Sequence, residues 1–339
     1  MTIVLGAATS LLPVLVFLGL LRLLDSYKLV TLRAILLSLL AGVLAALAAY
    51  AINVTLRPAL GMDFSPYSRY VAPVVEETLK ALFVVYLLRQ HKVGFVVDAA
   101  IHGFGIGAGF SLLENLLYLS THPGAPPWTW VVRGFGTAIM HGGTTAMLAM
   151  ISHTLLNRTT RFRLRLVVPG LGLAVVLHSL YNHFLLNPIL ATALIVLVFP
   201  LVAVVVFHES ERAARGWVGE GFDSDQELLK AVNEGRVAGT PVGKYITTLR
   251  GHFAPETIVD MMCLLRLRAE LAIRVKGILM MREAGFEPPP DPALQDQTKD
   301  KLRELRYLEK SIGKTGLVAL HPFLHTSTRD LWQLTVLNG

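Results

Sequence analysis

Residues 166–208 read LVVPGLGLAVVLHSLYNHFLLNPILATALIVLVFPLVAVVVFH, two apolar runs joined only by Asn187 and Pro188. About twenty apolar residues cross a bilayer as a helix. Helices are required because lipid satisfies no loose backbone groups. The two runs therefore predict a tight helical hairpin in a membrane. Five further runs of similar length precede it, at roughly 3–24, 30–52, 71–88, 95–119 and 131–156. The expected fold is thus all-α: a polytopic transmembrane bundle of about seven spans. Composition agrees, with 53% hydrophobic against 16% charged residues and a mean hydropathy of +0.54, too apolar for a soluble domain of 339 residues.

After Phe207 the composition turns abruptly to mixed charge. We expect a membrane domain over 1–208 and a helical soluble accessory domain over 209–339. In the latter, apolar residues recur at helical spacing over Ile258–Met281, Pro288, Pro289 and Pro290 break the chain, and Gln295–Lys310 reads as a charged helix. The first run lacks a basic start and a small-residue cleavage site, so it reads as a retained span. Cys263 is the sole cysteine, which excludes an intramolecular disulfide framework and a Cys-based metal knuckle.

Charge placement sets topology. Of the 31 Lys and Arg, 13 lie in residues 1–208 beside only 6 of the 24 acids, so the net +7 belongs to the membrane half. These basic residues cluster between apolar runs instead of along one face, which argues against a nucleic-acid surface. Arg22, Lys28 and Arg33, then Arg89 and Lys92, then Arg158, Arg161, Arg163 and Arg165 mark alternate loops, and the intervening connections are poorer in Lys and Arg. Short cytoplasmic loops are enriched in Lys and Arg. The N-terminus is expected outside the cell membrane and the C-terminal region in the cytoplasm, with Trp128 and Trp130 in the outer interfacial belt.

Ionisable groups inside apolar spans are costly unless paired, wetted or functional. The third span holds Glu76, Glu77 and Lys80, the fourth Asp98, His102 and Glu114, the fifth His141, and the sixth His178, Asn182 and His183. At about 1.5 Å of rise per residue, Glu76, Glu77 and Glu114 fall roughly 8 Å below the outer end of their spans, and His141 and His178 roughly 12 to 15 Å. Antiparallel helices thus bring these groups into one layer. Asp98 and His102 belong near the other face, where they are expected to bond each other. Positions four apart share a helix face, so Glu76 can pair with Lys80 and His178 shares a side with Asn182. Gly103, Gly105, Gly107 and Gly109 thin the fourth helix for close packing, which would carry Glu114 toward Glu76 or Glu77.

Carboxylates and imidazoles at one depth support two chemistries. Two or three of Glu77, Glu114, His141 and His178 could bind Zn²⁺ while Glu76 takes a proton from water. Alternatively a buried Glu is itself the general base, with imidazole and the Asn182 amide stabilising an oxyanion. The same residues would also suit a transporter or proton/ion channel, and His141 with His178 could ligate haem.

Glu76-Glu77-Thr-Leu-Lys80 resembles the EExxK signature of PrsW-type intramembrane proteases, and Phe110-Ser-Leu-Leu-Glu114 resembles their FxxxE signature, with His141 and His178 on the two following helices as their histidines are. That family is similar in turn to the CAAX-prenyl-protease-like membrane enzymes. The resemblance implies cleavage of membrane-anchored, regulatory substrates such as an anti-sigma factor. On this reading Glu76, Glu77, His178 and Asn182 are catalytic, Lys80 balances charge or contacts substrate, and Glu114, His141 and His178 hold any metal.

Overall fold

A computed structural model describes residues 2–25, 27, 30–157, 162–286 and 292–323, and among these every regular element is helical. The order is α1 (Thr2–Leu24), α2 (Leu32–Ala59), α3 (Phe64–Pro66), a π-turn (Tyr67–Val71), α4 (Ala72–Arg89), α5 (Val96–Thr121), α6 (Pro127–Val131), a second π-turn (Val132–Thr137), α7 (Ala138–Leu156), a 3₁₀ turn (Leu164–Leu166), α8 (Val168–Asn182), α9 (Pro188–Asn233), a 3₁₀ turn (Val237–Gly239), α10 (Pro241–Leu249), α11 (Pro255–Glu283) and α12 (Pro292–Leu320). Two compact units divide the chain, Met1–Ser210 and Glu211–Gly339. Lys28, Arg158, Arg161 and the break at Pro288, Pro289 and Pro290 lie outside the described residues.

Among the described residues five helices are long and apolar enough to cross a membrane: Val4–Leu24, Leu32–Ala59, Val96–Thr121, Leu164–Asn182 and Pro188–Val218. The other two expected spans, α4 and α7, are helices too, but they carry the polar groups of interest. Glu76, Glu77, Lys80 and Arg89 sit in α4, and His141, His153, Thr and Gly residues dilute the hydropathy of α7. A second difference concerns the shift in composition at Phe207, which does not end α9. Glu209, Glu211, Arg212, Ala213 and Ala214 are good helix formers with no proline among them, so the helix propagates to Asn233.

In the first unit α5 is the central element, buried from Val97 to Ser111 on nearly every side. Its glycines set the distances to its neighbours. A Cβ at Gly107 would lie 2.1 Å from the carbonyl oxygen of His141 in α7, and one at Gly109 would lie 2.0 Å from that of Leu39 in α2. From the facing side, a Cβ on Gly42 would meet the Ile106 carbonyl at 1.9 Å. The thin helix therefore packs against α7 and α2, the partners that sequence spacing could not specify. Around it, the outer faces of α2 and α9 expose Leu36, Leu37, Leu40, Leu44, Val204 and Val205, as a lipid-facing surface requires. Trp128 is exposed as a belt residue should be, but Trp130 is buried, its indole against Gly6 of α1.

The second unit has its own core: Met261, Leu264 and Leu271 of α11 pack with Leu302, Leu305 and Leu308 of α12 and Ile246 of α10. Its one deeply buried ammonium, among the described residues, is Lys276, 2.6 Å from Asp225 and 5.1 Å from the centroid of Trp217.

Two outcomes follow. Gly107→Ala should lower stability by roughly 1–3 kcal/mol in detergent melting, because backbone must move to admit a methyl, whereas Gly19→Ala, with open space around it, should change little. Asp225→Asn should expose the second unit to limited proteolysis more than Asp225→Asn/Lys276→Met does, since only the single change strands a buried charge.

Candidate active site

Lys80 and Glu77 occupy successive turns of α4 with side chains at 0% exposure, and Lys80 Nζ lies 2.7 Å from Glu77 Oε1. A charge pair so deeply buried is tolerable only if its remaining valences are met. Three aromatic rings meet all of them but those of Glu77 Oε2. His178 Nδ1 of α8 lies 2.8 Å from Glu77 Oε1, His141 Nδ1 of α7 lies 2.8 Å from Lys80 Nζ, and the Phe110 ring of α5 lies 4.3 Å from the same ammonium. The partner of Lys80 is therefore Glu77, three residues away, and not Glu76.

The hydrogen bonds fix the imidazole tautomers. An ionised carboxylate only accepts, so His178 donates from Nδ1, and in the neutral ring its Nε2 keeps a lone pair. That Nε2 stands 3.9 Å from Glu76 Oε2, too far for a hydrogen bond. An ammonium only donates, so His141 accepts at Nδ1 and points its Nε2–H at Glu114 Oε2, 3.2 Å away. The His141 and His178 rings meet edge to face with centroids 4.7 Å apart. Ligand atoms of Glu76, His141 and His178 lie within 4.8 Å of one another.

Two imidazoles and one carboxylate are the donor set of a catalytic zinc site. Glu77 behind His178 supplies the orienting carboxylate such sites use. Buried Glu77 Oε2 has no hydrogen-bond partner. These residues fit a divalent cation. Glu76 stands in this group where the sequence reading placed Glu114. Glu114 is held instead by His141 and by Arg133 Nη2 at 3.2 Å, because α5 lies against α7.

Local backbone explains the register of α4 against α8. Pro73 has no N–H, so the carbonyls it would have served, Arg69 in α-helical register and Ser68 in π register, are left open. Both are taken by α8 side chains: Ser179 Oγ donates to Arg69 O at 2.6 Å, and Asn182 Nδ2 donates to Ser68 O at 2.9 Å. The Asn182 amide, expected to face an oxyanion, thus holds the π-turn that precedes Glu76. His183 Nδ1 donates to Ser179 O at 2.7 Å, at the end of the same helix.

Asp98 and His102 do not bond each other. Asp98 Oδ2 accepts from the amides of Gly94 and Phe95 at the start of α5, and His102 Nδ1 pairs with Ser38 Oγ at 2.8 Å. Three residues went unsuspected in the sequence. Asn53 Nδ2 donates to Glu76 Oε1 at 3.4 Å, Tyr67 OH donates to Asn53 Oδ1 at 2.8 Å, and Arg133 reaches Glu114. Asn53 fell just past the expected end of the second span, and Arg133 lies at the edge of the expected fifth span. Its place eight residues before His141 was the available signal.

No curated protein and no solved structure matches the chain. The family described as PrsW family intramembrane metalloprotease matches residues 30–207, more than half of the chain and all of the helices that contribute to the cluster. This protein therefore belongs to the PrsW family of intramembrane peptidases.

Proposed function

We propose that this chain hydrolyses peptide bonds of membrane-anchored regulatory proteins, of the anti-sigma-factor kind, at a centre formed by Glu76, His141 and His178. The observation that carries the proposal is the approach of those three ligand atoms to within 4.8 Å of one another, from three separate helices. Zn²⁺ is the cation we assign to them. When bound, it would acidify a water and polarise the scissile carbonyl. His178 offers its Nε2 lone pair because Glu77 holds its Nδ1–H. Lys80 neutralises Glu77 and fixes the His141 ring at Nδ1 rather than touching substrate. Asn53 steadies Glu76 at the mouth, where the Glu76 side chain keeps 14% exposure.

A metal-free route draws on the 3.9 Å between Glu76 Oε2 and His178 Nε2, a span that a water bridges. There Glu76 Oε2 takes the proton of the attacking water and returns it to the leaving amine. An ion relay through the full thickness would need Asp98 and His102 open to each other, whereas both are engaged elsewhere.

We further infer that α4 and α7 cross the membrane with the five apolar helices, giving seven spans, because their polar residues are turned inward. Positive loops at Arg22 and Arg33, Arg89 and Lys92, and Arg163 and Arg165 support a plasma-membrane protein with its N-terminus outside. Residues 209–339 then form a soluble cytoplasmic accessory domain.

With a quenched-fluorescence peptide anchored by one apolar helix in phosphatidylcholine and phosphatidylglycerol vesicles, Glu76→Gln and His178→Ala should each lower cleavage by about 10²-fold or more while membrane insertion persists. Undiminished cleavage in both would remove the assignment. Metal analysis of the purified chain should find zinc, and chelation should stop cleavage until zinc is restored. Full activity in metal-depleted protein would favour Glu76 as the base.

A further inference from the structure

Arg133 is the one basic residue that the second π-turn carries, and it does not face solvent as a loop cation would: its side chain is 13% exposed. It lies along the last two turns of α5. Nη2 stands 3.2 Å from Glu114 Oε2, Nε donates to Asn115 Oδ1 at 2.8 Å, and the guanidinium carbon lies 4.2 Å from the centroid of Tyr118. Residues 114, 115 and 118 share one side of a helix, so the guanidinium meets all three together, by a directed hydrogen bond to Asn115, an ion pair without hydrogen-bond geometry to Glu114 and a stacked approach to Tyr118.

The receiving side is itself immobilised. Asn115 is fully buried, and its Nδ2 donates to the Ser10 carbonyl of α1 at 2.8 Å. A Cβ at Gly134, the next residue after Arg133, would sit 2.0 Å from the Thr9 carbonyl, so α1 also presses on the π-turn. Glu114 Oε2 is the oxygen that both Arg133 and His141 Nε2 approach, each at 3.2 Å. One carboxylate oxygen thereby links a guanidinium to a residue of the candidate centre.

We propose that Arg133 is a positioning residue: its fork, braced by Asn115 and Tyr118, pins Glu114 so that Glu114 holds the His141 ring in the orientation the centre needs. The inference rests on the reading of His141 as part of that centre. Lysine does not replace arginine here, since a single ammonium cannot serve Glu114 and Asn115 from fixed directions.

The test compares Arg133→Lys, Arg133→Gln, Glu114→Gln and the double variant Glu114→Gln/Arg133→Gln in the full-length chain. kcat and KM are measured on the vesicle-anchored peptide, zinc affinity by competition with a chelator, and melting temperature in detergent. Both Arg133 variants should lower kcat and zinc affinity by about tenfold, as losses of orienting partners do, with KM little changed. In the Glu114→Gln background the change at Arg133 should add less than about twofold, because the two act through one contact. The double variant strands no charge, so its melting temperature should return toward the starting value while kcat stays low.

Recovery of kcat along with melting temperature, fully independent losses, or full activity of Arg133→Lys would each overturn the proposal. If the unaltered chain cleaves no anchored peptide while Arg133→Gln still loses zinc, the protease reading fails and the clamp on His141 stands. If Glu76→Gln is dead and Arg133→Gln loses neither kcat nor zinc, the clamp fails and the protease reading stands.

Discussion

The buried pair of Lys80 and Glu77 is the constraint from which the rest of the membrane unit follows. Removing two opposite charges from water costs several kcal/mol per ion, and their mutual attraction offsets that only when the leftover hydrogen-bonding capacity is used. α4 alone cannot use it. The ammonium needs further acceptors and the carboxylate further donors, and His141 and His178 provide them from α7 and α8. The same two bonds dictate which ring nitrogen carries each proton. The pairing of the buried charges and the arrangement of the candidate centre are thus one fact about four side chains.

Helix packing had to allow this meeting. With lipid on the outside there is little hydrophobic gain in bringing helices together, so close contact depends on small residues and backbone approach. Gly107 lets α5 touch α7 at the residue that bears the His141 side chain, and Gly109 with Gly42 brings α2 in from the other side. α2 then presents Asn53 to Glu76. A bulkier α5 would push α7 outward and lengthen every bond that His141 makes.

Much of this could be read from residue types and spacing. Ionisable residues at matching depths pointed to one layer, and Glu76, Glu77, Glu114, His141 and His178 do lie in one connected cluster. Periodicity could not reveal which member of a pair faces which neighbour. Lys80 is four residues from Glu76 and three from Glu77, both permitted by helical geometry, and the choice depends on how α4 is rotated against α8. Nor could periodicity show that α5 lies against α7, which sets Glu114 behind His141 and leaves Glu76 beside His141 and His178. The π-turns were illegible because they arise from tertiary accommodation, though Pro73 announced the missing amide in plain view. Asp98 and His102 were misjudged as partners because a helix N-terminus and Ser38 offered better ones.

The clamp of Ser179 and Asn182 on the carbonyls that Pro73 leaves open has an implication for biogenesis. Helices enter a membrane in order of synthesis, and α8 emerges about a hundred residues behind α4, as the separation of Asn182 and Ser68 shows. Until it arrives, the π-turn lacks its closing partners and Glu77 lacks His178. A chain made only as far as α7 therefore contains the acids, the lysine and His141 but no finished centre, so completion of the candidate site waits on synthesis past Asn182.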